Sequence, residues 1–249
     1  MIKEERLRLI LEILSNDQKV LLSTLSEKLN VSADTIRRDI KSLSDQGLLK
    51  AVRGGAVPHS SVPRHFRARE HYDTASKQLI ASKALPFLKA EQVVLFDGGT
   101  STLALAALIP ADMKITVITH SFPIANILED HPSVELIFAG GRLNKTSFTA
   151  MGQDTIRAFR NIRTDLCFLG ICSIHPLLGI TTKDYEEAAL KKTMVDMSKQ
   201  TIALSTSEKI DKADNYYICA VTEIDSVITD KLPTADSLAA YKEVGLTIL

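Results

Sequence analysis

The sequence VSADTIRRDIKSLSDQGLL occupies residues 31–49, and VRGGAV follows at residues 52–57. In the first stretch Ile36, Ile40 and Leu43 recur at the spacing that places side chains on one face of a helix. The chain around the second stretch has the length and the central glycine pair of a small β-hairpin. We therefore expect an amphipathic helix followed at once by a hairpin.

Capping residues mark the ends of this helix. Ser32 is a good N-cap, because its hydroxyl can accept a hydrogen bond from a free amide of the first turn. Asp34 lies in that first turn, where negative charge interacts favourably with the positive end of the helix dipole. Gly47 is a typical stop residue, so the helix is predicted to end at about Gln46.

Two further helices are predicted upstream. Residues 3–15 and 22–29 are apolar at helical spacing, and their expected core positions are Leu7, Ile10, Leu11, Leu14, Leu22, Leu25 and Leu29. Three short helices and a hairpin in such a short span form a winged helix-turn-helix pattern. We expect residues 1–57 to be a DNA-binding domain of this type, mostly α with a small β-hairpin.

The helix that begins after Ser32 carries a cationic face beside its apolar face. Arg37 and Lys41 lie one turn apart, and arginine here can bond guanine O6 and N7 in the major groove or clamp phosphates. Hydroxyl groups at the helix start suit phosphate contacts, and a cation beside the hairpin turn can reach the flanking backbone. The candidate DNA-binding residues are Ser32, Thr35, Arg37, Arg38, Lys41 and Arg53.

Charge alone does not separate this interpretation from an ordinary solvated helix face. Residues 1–57 contain ten Lys/Arg and eight Asp/Glu, a net charge of +2, and Asp34 and Arg38 have the i, i+4 spacing of a surface ion pair. The whole chain has 30 basic and 30 acidic side chains, so any contact with nucleic acid must be local.

The rest of the chain has a different pattern. Residues 58–73 contain prolines, serines and arginines, which is typical of a linker that leads into a helix. Short apolar runs then alternate with helical stretches, and this alternation predicts an α/β domain at residues 74–249 with a mostly parallel sheet covered on both faces. The expected strands are Val93–Phe96, 115–118, Val134–Phe138, 166–169, Thr201–Leu204, 217–220 and 227–228.

The first of these strands ends in DGGTST at residues 97–102, and a helix follows. Glycine lets the backbone approach a ligand closely, and hydroxyl groups at a helix start add donors to its exposed amides. Such a loop favours an anion, usually phosphate, and the lack of a GK[ST] sequence disfavours a nucleoside triphosphate. A plain strand-to-helix turn capped by Asp97 is the alternative.

Other polar or glycine-rich clusters also follow predicted strands. They are residues 119–121, residues 140–142, Gly170 and residues 205–207. In a parallel sheet these loops share the edge at the carboxyl ends of the strands, where ligands of open α/β sheets bind. We expect them to surround one ligand site.

The opening sequence, with TIRRDI at its centre and GGA in the hairpin, resembles the DNA-binding signature of the DeoR family of bacterial regulators. The resemblance continues along essentially the whole chain, and it implies that Thr35, Arg37 and Arg38 belong to the recognition helix. It also implies a sensor domain that shares its fold with ribose-5-phosphate isomerases and binds a phosphorylated sugar. The implied effector-binding residues are Asp97, Gly98, Gly99, Thr100, Ser101, Thr102, Ser121, Gly140, Gly141 and Lys191.

The chain departs from the family pattern at three places. Leu21 stands where members often have a polar residue that caps the second helix. Residues 170–173 read GICS where many members have a GADG-like sequence, and residues 205–208 read STSE in place of Asp-x-Ser-Lys. The last two lie at the presumed ligand edge, so they bear on the identity of the ligand more than on the existence of a pocket.

The resemblance also covers a later helix. The family's acidic-then-basic helix matches Glu187 and Lys191, which implies that Lys191 faces the ligand. A surface ion pair at i, i+4 spacing is the alternative.

Two other functions stay open at this point. A sugar-phosphate isomerase-type enzyme of the same fold would need Asp97 or Glu187 as its acid–base group and would leave residues 1–57 unexplained. An adaptor that only oligomerises is the third candidate.

Other features exclude several classes of site. His120 has no evident orienting partner for a catalytic triad, and Cys172 is expected to be a small buried side chain. With Cys167 and Cys219 it forms no CxxC pair, which indicates reduced thiols and no zinc site. We expect no catalytic residues, metal or cofactor.

The remaining expectations concern location and partners. The N-terminal segment lacks a signal-peptide core, and no apolar run approaches the ~20 residues of a membrane span, so we expect a cytoplasmic protein. One recognition helix reads few base pairs, so the protein should bind double-stranded operator DNA as a homodimer or homotetramer. We expect a repressor of carbohydrate-metabolism genes that responds to a phosphorylated sugar.

Overall fold

The computed structural model describes residues 2–17, 19–46, 48–57 and 65–249. Its N-terminal part, here called the head, consists of α1 (Lys3–Asp17), β1 (Val20–Leu21), α2 (Leu22–Leu29), α3 (Ala33–Asp45), β2 (Lys50–Val52) and β3 (Gly55–Val57). The strands form an antiparallel sheet in the order β1-β3-β2. The predicted helices and hairpin are confirmed, and β1 adds a strand that the sequence pattern did not predict.

The helices of the head pack around one apolar core. Ile10, Leu25 and Ile36, one from each helix, are fully buried in it. Gly55 lets the wing, which is the hairpin β2–β3, approach this core, since a β-carbon on Gly55 would lie 1.9 Å from Val20 O of β1. Only glycine permits so close an approach, so the GGA sequence is a requirement of the wing.

Helix α3 begins as its sequence predicts. Ser32 has an extended backbone, and its Oγ accepts a hydrogen bond from Thr35 N at 3.2 Å. The helix ends with Gln46 as its C-cap. The predicted stop residue Gly47 lies outside the described residues.

Helix α2 lacks the side-chain cap that α3 has. Leu21 occupies its N-cap position and makes no side-chain hydrogen bond there. Leu22 N instead donates to Gly54 O of the wing at 2.8 Å. A backbone contact with the wing therefore satisfies one of the amides that a polar cap would otherwise serve.

The C-terminal domain, residues 65–249, alternates helices and strands. Its elements are α4 (Phe66–Glu70), α5 (Thr74–Ala84), β4 (Val93–Phe96), α6 (Thr100–Ala106), β5 (Ile115–Thr119), α7 (Phe122–Leu128), β6 (Val134–Phe138), β7 (Arg142–Asn144), β8 (Thr149–Met151), α8 (Gln153–Arg160), β9 (Leu166–Gly170), β10 (Ser173–His175), β11 (Gly179–Thr182), α9 (Tyr185–Asp196), β12 (Thr201–Leu204), β13 (Tyr216–Cys219), β14 (Ser226–Ile228), α10 (Ala235–Glu243) and β15 (Thr247–Ile248).

Seven of the described strands form one sheet in the order β15-β14-β12-β9-β4-β5-β6, and every neighbouring pair is parallel. Helices α5, α6 and α7 cover one face, and α8, α9 and α10 cover the other. Val94 and Leu95, adjacent in β4, are buried in opposite cores. The predicted parallel, doubly covered sheet is confirmed. Among the described helices, none combines the length and the apolar composition that a membrane crossing requires.

The structure corrects the prediction at residues 217–220. The strand there, β13, pairs with β11 in a separate antiparallel sheet that also contains β10. A short apolar run predicts a buried strand but not the sheet that the strand joins, because a distant segment decides the pairing. The hairpin β7–β8 and the two-residue strand β15 were likewise not predicted.

The predicted linker, residues 58–73, contains a helix. Residues 58–64 lie outside the described residues, but α4 begins at Phe66, whose ring packs on that of Phe148 with centroids 6.0 Å apart. Phe66 N also donates to Thr146 O at 2.7 Å. Burial of one aromatic side chain thus attaches this segment to the loop of the β7–β8 hairpin.

Candidate functional site

The cationic face predicted for α3 is exposed. Its apolar side, with Ile36 fully buried, holds the helix on the core of the head. Arg37, Arg38 and Lys41 are exposed on α3, and Arg53 is exposed at the turn of the wing. This arrangement presents cations from two elements in the way that winged helix-turn-helix domains use to contact a duplex.

The hydroxyl groups at the start of α3 lie next to each other. Ser32 Oγ and Thr35 Oγ1 are 2.9 Å apart, with Ser32 exposed and Thr35 half-buried. Amides in the first turn of a helix have no acceptor within the helix. The start of α3 therefore offers hydroxyl and amide donors to a phosphate.

The ion pair on α3 is not the Asp34–Arg38 pair that the sequence spacing suggested. Asp34 pairs with Arg37, three residues away, and both side chains are largely exposed. Arg38 and Lys41 have no acidic partner within the part of the chain that the structure describes. Exposed pairs contribute little free energy, so Arg37 can exchange Asp34 for a nucleic-acid partner.

A buried carboxylate fixes α3 against α1. Asp39 is 2% exposed, and it accepts hydrogen bonds from Arg6 Nε at 2.5 Å and Arg6 Nη2 at 3.2 Å. Such a two-point contact has a defined geometry as well as favourable energy. Sequence reasoning missed this pair, because a count of charges does not show which of them are inside.

The second site is a cavity at the carboxyl ends of β4, β9 and β12. It lies where ligands of open α/β sheets bind. Its described lining residues are Arg69, Gly98, Gly99, Thr100, Ser101, Gly170, Ile171, Cys172, Glu187, Lys191, Leu204 and Lys209. The structure thus brings together the DGGTST loop, Gly170 and Lys191, which are far apart in the sequence.

A buried ion pair borders this cavity. Asp97 Oδ2 accepts hydrogen bonds from Lys191 Nζ and from Gly170 N, the latter at 2.8 Å. Lys191 Nζ also donates to Gly170 O at 2.6 Å and lies 3.3 Å from Glu187 Oε1. The side chains of Asp97 and Lys191 are 1% and 3% exposed. The Glu187–Lys191 pair exists, but Lys191 is not a surface residue.

The charges of this pair are fixed. Burial raises the pKa of Asp97, but the Lys191 ammonium and the hydrogen bond with His120 outweigh burial and hold that pKa well below its usual range. Burial lowers the pKa of Lys191, but Asp97 and Glu187 outweigh it and raise that pKa. A general acid or base needs a pKa near the operating pH. Asp97 is therefore poorly suited to proton transfer in an isomerase.

His120 is a buried support of the loop that follows β4. Its Nδ1 donates to Ala150 O at 2.7 Å, because a carbonyl oxygen can only accept. Its Nε2 lies 3.3 Å from Asp97 Oδ1 and 3.2 Å from Gly98 N. The side chain is 2% exposed, so His120 is a buried residue.

Glycine is required at the start of the DGGTST loop. A β-carbon on Gly98 would lie 2.1 Å from Thr149 Cγ2, so any other residue would displace the buried side chain of Thr149 on strand β8. Gly98 N donates to Asp97 Oδ1 at 2.7 Å. The close packing of this loop on β8 sets where its backbone faces the cavity.

The hydroxyl residues of the loop divide into two roles. Thr102 is fully buried, and its Oγ1 donates to Asp97 O at 2.7 Å and accepts from Gly99 N at 2.8 Å. Thr102 therefore holds the loop in shape. Thr100 and Ser101 line the cavity, together with the free amides that begin α6.

Three residues predicted for the ligand site lie elsewhere among the described residues: Ser121, Gly140 and Gly141 are not in the cavity lining. Ser121 caps α7, its Oγ accepting from Ile124 N at 3.4 Å. Thr155 Oγ1 donates to Gly140 O at 2.8 Å, and a β-carbon on Gly141 would lie 2.3 Å from that Oγ1. These residues follow β5 and β6, at the far side of the sheet from β9 and β12.

Two cations of the cavity were not predicted. Lys209 Nζ donates to Ile171 O at 2.9 Å, and burial lowers the pKa of Lys209 to about 8. Arg69 comes from the predicted linker and lines the same cavity. A sequence signal existed for Lys209, which directly follows the divergent STSE. Nothing in the linker composition distinguishes Arg69 from the arginines near it.

The departures from the family pattern adjoin this cavity. Ile171 and Cys172 of GICS line it, and burial raises the pKa of the Cys172 thiol. Glu208 of STSE accepts a hydrogen bond from Tyr72 Oη at 2.6 Å, at the junction of α4 and α5. Measured against the GADG-like sequence, a neutral thiol therefore stands where many family members have an aspartate, and an isoleucine stands where they have an alanine.

The fold and the two sites together define a DNA-binding regulator with a ligand-sensing domain. Residues 6–62 match the family described as "DeoR-like helix-turn-helix domain", and residues 72–231 match "DeoR C terminal sensor domain". The chain belongs to the DeoR family of transcriptional regulators. Its relatives are named as regulators and repressors, which confirms a regulator in place of the isomerase-type enzyme.

Similar proteins cover nearly the whole chain. The transcriptional regulator GlpR of Haloferax volcanii is 32% identical over 100% of this chain and 98% of its own length. The transcriptional repressor GlcR of Bacillus subtilis is 30% identical over 94% and 90%. The glycerol-3-phosphate regulon repressor of Escherichia coli is 27% identical over 90% and 89%.

Two solved structures are similar to the chain at low identity. One is ribose 5-phosphate isomerase A of Methanocaldococcus jannaschii, with 11% identity, a TM-score of 0.40, and 54% of this chain and 53% of that chain covered. The other is eIF2B beta of Chaetomium thermophilum, with 15% identity, a TM-score of 0.47, and 68% and 53% covered. The match thus spans about half the length of each of these structures.

Proposed function

We propose that this chain represses carbohydrate-metabolism genes and that a phosphorylated sugar, bound in the cavity, modulates its binding to operator DNA. The observation that carries the proposal is the charge of the cavity. Lys191, Lys209 and Arg69 line it, whereas Glu187 is the acidic residue of its described lining and Asp97 adjoins it. An excess of positive charge on buried and half-buried side chains, beside the amides that begin α6, favours an anionic group.

The proposed anion-binding residues are those of the loop and of α9. The free amides at the start of α6, the hydroxyls of Thr100 and Ser101 and the ammonium of Lys191 would hold a phosphate, and Gly98 and Gly99 would let the backbone lie close to it. The name of one relative supports a phosphorylated effector, since that relative is called a glycerol-3-phosphate regulon repressor. The apolar part of the cavity would then select among sugars.

The proposed DNA-binding surface is the exposed face of α3 with the turn of the wing. Its residues are Ser32, Thr35, Arg37, Arg38, Lys41 and Arg53. The side chains on α3 would read base edges in the major groove, and the wing would contact the flanking backbone. A homodimer or homotetramer in the cytoplasm would place two such surfaces on a two-fold operator.

Calorimetric titration of the full chain with sugar phosphates, each paired with its unphosphorylated sugar, tests the effector. We expect one or more phosphorylated sugars to bind without being converted, and to change the affinity for an operator selected from random-sequence DNA by about 1–3 kcal/mol. Turnover of the sugar would instead favour the enzyme, and no binding across the panel would favour the adaptor.

A pair of variants locates the site. Thr100→Val removes a hydroxyl from the cavity and should weaken binding of the phosphorylated sugar. Thr116→Val removes a hydroxyl on β5 that donates to Glu135 on β6, outside the described cavity lining. It should leave binding unchanged. Equal affinities of the two variants would place the effector elsewhere.

A further inference from the structure

Arg69 has an unusual environment for a charged side chain. Its Nε is buried and has no hydrogen-bond partner among the described residues. A buried guanidinium donor left without an acceptor costs free energy, and arginine binds carboxylate and phosphate through two parallel hydrogen bonds. Arg69 also lines the cavity, so an anion there would supply the missing acceptor.

The other cations of the cavity already have partners. Lys191 is neutralised by Asp97 and Glu187, and Lys209 donates to a backbone carbonyl. Arg69 is therefore the cation of the described lining with an unsatisfied buried donor. A contact with this guanidinium would therefore stabilise an anionic ligand without breaking an existing ion pair of the cavity.

Arg69 also occupies a distinctive place in the chain. It lies on α4, between the two segments that match the family, residues 6–62 and 72–231. Residues 58–64, which lead from the head, join the C-terminal domain directly before α4. A ligand held by Arg69 would thus contact the connection to the head as well as the sensor fold.

Helix α4 is attached to the C-terminal domain at both ends. Phe66 packs on the β7–β8 hairpin at the start, and Lys77 Nζ of α5 donates to Arg69 O and Tyr72 O at the end. Tyr72 Oη donates to Glu208, the neighbour of Lys209. These contacts hold the backbone of Arg69 next to the cavity and link its position to the loop that carries Lys209.

We propose that Arg69 is an effector-binding residue and that, through it, helix α4 senses whether the cavity is occupied. This inference rests on the proposed function and adds to it the part of the molecule that transmits the signal. The guanidinium of Arg69 would donate to the anionic group of the effector, in the cavity that Thr100 and Ser101 also line. Occupancy would then stabilise α4 (Phe66–Glu70), the first described helix after the head.

The test compares the wild-type chain with Arg69→Ala, Arg69→Lys and the control Arg67→Ala. Arg67 lies on the same helix, but it is exposed and packs over the Phe148 ring at 5.3 Å. The probes are inorganic phosphate and the sugar phosphates of the panel, titrated by calorimetry. Hydrogen–deuterium exchange of residues 65–72 is followed with and without each probe.

We expect Arg69→Ala to lower the affinity for phosphate and for a bound sugar phosphate at least about 10-fold. Arg69→Lys, which keeps the charge and loses the two-point contact, should lie in between. In the wild type and in Arg67→Ala, the probe should slow amide exchange of residues 65–72; in Arg69→Ala it should not. Arg69→Lys keeps the test valid if the alanine variant fails to fold.

Three results would overturn the inference in different ways. If the wild type binds a sugar phosphate and both Arg69 variants bind it equally well, Arg69 is not a ligand and the proposed function stands. If binding weakens but exchange of residues 65–72 responds equally in all variants, Arg69 binds the effector without transmitting its presence. If the wild type binds no probe, the proposed function itself fails, and this inference fails with it.

Discussion

The head and the C-terminal domain hold their functional charges in opposite ways. On α3, Arg38 and Lys41 project into solvent, and the pair between Asp34 and Arg37 is largely exposed. In the cavity, Lys191 is 3% exposed and depends on Asp97 to remain charged. A surface that meets a large polyanion needs only to present its cations, because the partner brings the counter-charge. A small enclosed site must build its charges into the fold, because water does not stabilise them there.

The largest expected effect sets a buried ion pair against an exposed one. Asp97→Ala leaves the Lys191 ammonium buried without its main partner, and it should lower the free energy of unfolding by about 3–5 kcal/mol. Asp34→Ala removes an exposed partner of Arg37 and should change it by less than about 1 kcal/mol. Urea denaturation followed by circular dichroism measures both. Similar losses for the two variants would contradict the comparison.

The next effect concerns the exposed charges themselves. Arg38→Ala should weaken binding to a selected operator about 10- to 100-fold at fixed salt without lowering stability, because the side chain is exposed. Arg8→Ala, an exposed arginine of α1, is the matched control. Fluorescence anisotropy with labelled duplex gives the affinities. An Arg38 variant that binds as tightly as the control would remove α3 from the proposed interface.

A smaller effect should be a pH dependence of effector binding in the cavity. The pKa of Lys209, lowered to about 8 by burial, means that its charge is present below that pH and lost above it. A phosphorylated effector should therefore bind about 10-fold more weakly at pH 9 than at pH 7. Lys209→Met should bind weakly at both values and show a flatter profile. A wild-type affinity independent of pH would show that Lys209 does not contact the effector.

The smallest effect tests the uncapped start of α2. Leu21 is 54% exposed and has the extended backbone of an N-cap, but it makes no side-chain hydrogen bond. Leu21→Ser should stabilise the head by about 0.5–1 kcal/mol by capping free amides. Leu21→Ala, which supplies no oxygen, should not. Melting temperatures of both variants separate the cap from loss of the leucine side chain.

The sequence predicted elements best where a local pattern is strong. Ser32 caps α3, and Ile36, Ile40 and Leu43 are buried as their helical spacing predicts. The strand β13 was assigned to the wrong sheet, because its composition does not show which distant strand it pairs with. The spacing of apolar residues predicts a single element, whereas strand pairing depends on the whole fold.

The candidate sites show the same limit. Lys191 and the middle of the DGGTST loop, residues 98–101, were predicted for the ligand site and line the cavity. Ser121 was also predicted for that site, but it caps α7. Lys209 and Arg69 were not predicted, because a sequence pattern does not distinguish a lysine or arginine that lines a cavity from one that faces solvent. Their roles depend on which loops the parallel sheet brings to one edge.

By itself, the sequence determined the class of this protein, its two-part organisation and the exposed cationic face of α3. The class follows from the resemblance of TIRRDI and GGA to the DeoR family. The organisation and the face of α3 follow from periodicity, capping and turn residues, which act between neighbours in the chain. Only the tertiary structure decided which charges are buried, that Asp97 and Lys191 neutralise each other, and that Arg69 reaches the cavity from the segment after the head. Burial and charge pairing join residues far apart in the chain, and their energies depend on the solvent that the fold excludes.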